Sequence, residues 1–142
     1  MSNDLIENIE LEMAFLSRRI ALVGNKIEWN LDRSAYLLLH YLHVKGPLGV
    51  KGLANELQLD ISTVSRQASA LGKKGYVDKI PDPSDRRAYF YQITELGMKQ
   101  LSDYKQARFN KFTKLLDGWS DEERIVFGQL LKKFNQAIRE KL

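Results

Sequence analysis

The 142-residue chain contains no cysteine, only three prolines and only two histidines. Without cysteine there are no disulfide staples, no thiolate metal ligands and no thiol redox switch. His40 and His43 stand three apart on one predicted helix. A metal site would need further ligands, and neither a third histidine nor a thiol is there to supply them. They read instead as core or edge histidines, and no metal or cofactor is expected. The longest apolar run, residues 35–42, falls far short of the roughly 18–20 residues that span a bilayer, so no membrane partner is expected. The opening MSNDLIENIE is acidic and polar, unlike a secretory signal or transit peptide, which points to a cytoplasmic location. There is no glycine-rich phosphate loop and no triad-like cluster. The adjacent carboxylates Glu122 and Glu123 belong to a helix start, where the macrodipole favours them. The residues for an enzyme are missing.

What is present is ordinary for a globular domain: 44% apolar residues, 28% charged, and length enough for a core. Lys plus Arg number 22 against 18 Asp plus Glu, a net +4. Such a balance permits a polyanionic partner without demanding one, so the placement of the charge carries more information. No repeat, low-complexity run or flexible linker interrupts the chain.

Leu5, Ile9, Met13, Leu16, Ile20, Val23 and Ile27 recur at steps of three and four and predict one long amphipathic helix over residues 4–28. A stripe of that length suits either the chain's own core or a dimer partner, and its position ahead of any compact core favours the partner. A second helix is expected after Asp32 as N-cap, with Leu31 and Tyr36 at hydrophobic-staple spacing. It is apolar almost all round, hence central, and Gly46-Pro47 stops it. Residues 48–50 read as a short extended piece, and residues 51–57 as a short helix with Leu53, Ala54 and Leu57 inward. A three-residue connection leads to a further helix capped by Asp60. Helix, tight turn and helix make a helix-turn-helix arrangement.

On this last helix Ile61, Val64, Ala68 and Leu71 form a narrow inward stripe. The opposite side carries Ser62, Arg66, Ser69, Ala70 and Lys73, with Thr63 at its margin. No carboxylate occurs anywhere in residues 61–77. An ordinary solvated face mixes Glu with Lys. A face that enters a groove between phosphates cannot carry carboxylates and needs donors instead. Gly75 then ends the helix, and residues 76–80 and 88–94 read as two strands around the turn Pro81-Asp-Pro-Ser-Asp85. Tyr89, Tyr91 and Ile93 share one face of the return strand, and Arg86-Arg87 fall at the hairpin tip. Two arginines there suit either a plain exposed loop or a wing entering the minor groove, where negative potential concentrates. Residues 61–91 hold six cations and three anions, most of the net charge in about a fifth of the length. Thr94 caps a long helix to about Leu116 with Leu101, Tyr104, Phe109, Phe112 and Leu116 as apolar members. After Gly118, a capping box at Ser120 and Glu123 opens a last helix, to about Glu140, with Phe127, Leu130, Leu131, Phe134 and Ile138 inward.

Three runs together resemble the MarR family of winged helix-turn-helix transcriptional regulators: STVSR at 62–66, L-x-K-K-G-Y-V at 71–77, and D-P-x-D-R-R at 82–87 followed by a strand and I-T-x-x-G at 93–97. The helix order extends the resemblance over nearly the whole chain. It implies a mainly α fold with a small β-wing, an α+β winged helix. Residues 31–96 would be the DNA-binding part, and residues 1–30 and 97–142 a helical dimerisation part from the N- and C-terminal helices. It further implies a bacterial or archaeal cytoplasmic homodimer, nucleoid-associated when on DNA. Such a dimer binds palindromic operator DNA, usually as a repressor, and is released by a small phenolic or aromatic effector. By position, Ser62, Thr63, Ser65, Arg66 and Gln67 would contact the major groove and phosphates. Lys73 and Lys74 match phosphate contacts or solvated side chains. Asp85, Arg86 and Arg87 match the wing signature, in which the Asp orients an arginine and an arginine enters the minor groove. Gly72 departs from the family's usual charged helix former and puts the length of the recognition helix in doubt. The competing reading is a winged helix that binds protein and not DNA, and the carboxylate-free face argues against it.

Overall fold

A computed structural model describes residues 2–24 and 33–142. Along the chain run α1 (Ser2–Gly24), α2 (Arg33–Lys45), α3 (Val50–Leu57), α4 (Ile61–Lys73), β1 (Val77–Asp82), β2 (Asp85–Ile93), α5 (Glu95–Leu115) and α6 (Asp121–Lys141). The fold is mainly helical, with one two-stranded antiparallel wing. The expected extension of the first helix to residue 28, the Asp32 cap and the Leu31 half of the staple lie outside the described residues.

One core holds the middle of the chain. Leu38, Leu39 and Leu42 of α2 meet Leu53 and Ala54 of α3, Val64, Ala68 and Leu71 of α4, Tyr76, Val77 and Tyr91 at the wing base, and Leu101 and Tyr104 of α5. Each fully buried leucine contributes on the order of 1.5–3 kcal/mol. Leu37 and Val44 remain exposed, so α2 is central and apolar almost all round without being buried all round. Leu48 pairs with Tyr91 by two backbone hydrogen bonds, which attaches the stretch before α3 to the wing. Val50, expected to be extended, already opens α3.

Local chemistry sets the junctions. Helix α4 closes with Gly75 at φ +80°, where the Gly75 amide donates to the Gly72 carbonyl and the Tyr76 amide to Leu71. That is a Schellman turn, with Tyr76 and Leu71 both buried beside it. Thr94 joins three elements. Its hydroxyl donates to the Gly75 carbonyl at 2.6 Å and accepts from the Gly97 amide at 3.0 Å, and its own amide donates to the Tyr76 carbonyl. Gly97 lies so close that a Cβ there would fall onto the Tyr76 carbonyl oxygen and 2.8 Å from Ile93 Cγ1. Ser120 and Glu123 form the reciprocal capping box of α6.

Three expectations are corrected. Ile61, on the inward stripe of α4, is 46% exposed, because the first turn of the helix projects past the core that Val64 begins. The row Phe127, Leu130, Leu131, Phe134 and Ile138 is not inward: α6 has no buried residue, and Leu130 is 56% exposed. Among the described residues, none covers this row. Phe109 and Phe112 of α5 are exposed as well, and Leu5, Ile9 and Leu16 of α1 are exposed as a stripe not committed to the chain's own core would be. Finally, the strands are longer and the turn shorter than expected. Asp82 accepts from the amide and hydroxyl of Ser84, which closes the turn over Pro83 and Ser84 and carries Arg86 and Arg87 into β2. Pro81 fits inside β1 because the register shifts there.

Candidate nucleic-acid interface

Helix α4 is oriented by its three buried residues, Val64, Ala68 and Leu71, which leaves Ser62, Arg66 and Lys73 exposed on the other side. Its first turn is a hydrogen-bonded cluster. The Asp60 carboxylate caps the helix by accepting from the Thr63 amide at 2.7 Å, and the same oxygen accepts from the Ser62 hydroxyl at 2.7 Å. Arg66 Nη2 donates to the Thr63 hydroxyl at 3.4 Å. The Ser62 hydroxyl foremost, then the Thr63 amide and hydroxyl, hold the Asp60 carboxyl down to about 2. It is therefore ionised under all ordinary conditions.

The remaining expected contact residues divide by position. Ser65 is half-buried and lines a groove between α4 and the wing, shared with Lys51, Asp85, Arg87 and Tyr89. Gln67 turns its amide inward, and its Oε1 is buried with no hydrogen-bond partner among the described residues. Lys73 sits in the last turn, about 16 Å along the axis from Ser62 at 1.5 Å per residue. It is thus remote from the end of the helix that reaches base edges. Arg86 and Arg87 are both exposed, on opposite pleats of β2. Asp85 accepts from the Arg87 backbone amide at 2.9 Å, so it acts on the main chain of the wing and not on a guanidinium.

Two features were not singled out from the sequence. Lys79 Nζ lies 5.3 Å from the Tyr89 ring centroid and 5.9 Å from that of Tyr91, which binds the two strands of the wing across one face. The signal was there in cross-strand spacing, but the register that creates it depends on the shift at Pro81. The other is the role of Asp60 beyond capping, which the local D-x-S-T spacing foreshadows. A second, open groove between α2 and α5 is lined by His43, Met98, Leu101, Ser102, Lys105 and Phe109. His40 stands beside it, between the rings of Tyr36 and Tyr41, and burial foremost holds its pKa below the usual value. Among the described residues no group of three or more His, Asp or Glu could hold a metal ion, and no helix is long and apolar enough to cross a membrane.

Comparison with known proteins bears on this geometry. The MarR family model matches residues 31–89, which take in α2, α3, α4 and most of the wing. The HTH-type transcriptional regulator YxaD of Bacillus subtilis (strain 168) is 42% identical over 135 residues, 94% of each chain. A MarR family protein from Bacillus stearothermophilus superposes with a TM-score of 0.82 at 21% identity, over 98% of this chain and 99% of that one. The PcaV transcriptional regulator from Streptomyces coelicolor, solved in complex with its natural ligand, gives 0.68 at 26% identity, over 87% of this chain and 91% of that one. A helix-turn-helix, a basic wing and 42% identity over 94% of each chain to an HTH-type regulator converge: the chain belongs to the MarR family of transcriptional regulators.

Proposed function

We propose that this protein is a cytoplasmic, sequence-specific DNA-binding repressor that grips a palindromic operator as a homodimer and lets go when a small aromatic effector binds. The observation that carries the reading is the exposed face of α4, which offers Arg66 and hydroxyls and no carboxylate beside a wing bearing Arg86 and Arg87. Residues 31–96 form the DNA-binding part. Residues 1–30 and 97–142 form the dimerisation part, in which the exposed apolar rows of α1, α5 and α6 cover one another across a two-fold axis. Two reading helices fit successive major grooves only near one helical turn apart, roughly 34 Å. An effector that prefers another spacing weakens DNA binding by its differential affinity for the two states. The groove at His43, Lys105 and Phe109 offers a cation and a ring to such a ligand, and PcaV sets a precedent for a natural ligand on this fold.

Selection of bound duplexes from a random pool, followed by titration of the recovered operator, tests the reading. Arg66→Ala is expected to weaken operator binding by about 10-fold or more and to relax preference at one position of each half-site. Replacing both Arg86 and Arg87 with Ala is expected to weaken binding to most sequences and to flatten its salt dependence. Unchanged affinity in both variants would overturn the assignment.

A further inference from the structure

Asp60 stands at the mouth of the reading helix, where a carboxylate is electrostatically unwelcome beside phosphates and where Asn would cap equally well. Its oxygen is engaged by the Ser62 hydroxyl as well as by the Thr63 amide. An ionised carboxylate only accepts, so the single proton of the Ser62 hydroxyl must lie in the 2.7 Å contact with Asp60. What Ser62 then shows the solvent is two lone pairs and no donor. Phosphate oxygens accept only, as do guanine O6 and N7 and thymine O4, and none of these can bond to Ser62 in that state. The donors on the floor of the major groove are adenine N6 and cytosine N4. Ser62 is exposed and is the second residue of α4, at the end of a recognition helix that reaches base edges. One turn on, Arg66 offers donors only, so the face presents an acceptor followed by a donor fork.

We propose that Asp60 is a positioning residue for base readout: it fixes the Ser62 hydroxyl as an acceptor, so that each half-site places an exocyclic amine, adenine N6 or cytosine N4, opposite Ser62. The inference rests on the DNA-binding reading above and adds the polarity of one contact to it. Asp60→Gly removes the shared acceptor with little loss of capping and frees the Ser62 proton to turn outward. Ser62→Ala removes the hydroxyl.

The test is recovery of binding motifs from a random duplex pool by the full-length wild type, Asp60→Gly and Ser62→Ala, with thermal unfolding of all three as the check on folding. Wild type is expected to favour adenine or cytosine at one position per half-site by roughly three- to tenfold, the range of a single neutral hydrogen bond. Ser62→Ala flattens that position alone. Asp60→Gly still binds but moves the position toward guanine or thymine, or flattens it. A motif unchanged in both variants overturns the proposal while leaving DNA binding intact. So does a uniform loss of affinity across sequences in Ser62→Ala with a shallower salt dependence, which would make Ser62 a phosphate contact. A wild type that enriches no motif removes the DNA-binding reading and this inference with it.

Discussion

His40 illustrates how a single side chain ties stability to pH. Its ring lies 6.3 Å from that of Tyr36 and 5.5 Å from that of Tyr41, and its Nδ1 is buried without a partner among the described residues. Burial lowers its pKa first, and Lys105 from α5 and His43 from its own helix push in the same direction. The unfolded chain therefore takes up this proton at higher pH than the folded one. The stabilising contribution is complete above the ordinary histidine value of about 6.5 and is lost as pH falls through the lower folded value. Urea midpoints measured from pH 8 to pH 5 should fall more steeply for wild type than for His40→Gln; superimposable curves would show that this ring does not carry the effect.

Among the elements, α4 and α5 hold two glycines of opposite meaning. A methyl on Gly72 would meet only Val77 Cγ2 and the Val77 carbonyl, both at an ordinary 3.9 Å. The α4 helix runs on to Lys73 regardless, so the glycine does not shorten it. Gly72→Ala should raise stability by about 0.5–1 kcal/mol through helix propensity. Gly97→Ala forces a methyl against the Tyr76 carbonyl and should lower stability by about 1–3 kcal/mol. Chemical denaturation of the two variants checks both signs. Element starts were readable in advance because caps are local: Asp60, Thr94 and Ser120 each reach an amide three residues on. The wing was harder, since the strand limits depend on the Asp82–Ser84 bonds and on the register shift at Pro81, which no periodicity reports. Faces were legible where one core decides them, as for Val64, Ala68 and Leu71, and misread at Ile61, where the core stops. The residue types on the exposed side of α4 were legible, but hydroxyl polarity at Ser62 needs the three-dimensional position of Asp60.

For the whole molecule, the long exposed row of α6 is the feature a sequence misassigns most readily. Periodicity reports that Phe127, Leu130, Leu131 and Phe134 share a side, and cannot say whether the surface they want belongs to the same chain. Larger exposed apolar patches on folded proteins mark interaction surfaces. Leu130→Glu should therefore convert a two-chain species to a one-chain species in size-exclusion chromatography with light scattering. Helical content by circular dichroism should persist, because Leu130 lies outside the core around Leu38, Leu39 and Leu53. A two-chain mass retained in that variant would count against the interface.

The joint at Thr94 has a mechanical consequence. One hydroxyl binds the last turn of α4 through the Gly75 carbonyl and the first turn of α5 through the Gly97 amide, and Gly97 lets the two backbones touch. There is little slack between the end of α4 and the start of α5 at this joint. A tilt of α5 pulls directly on the turn that closes α4, through Gly75 and Tyr76, before any free loop can take it up.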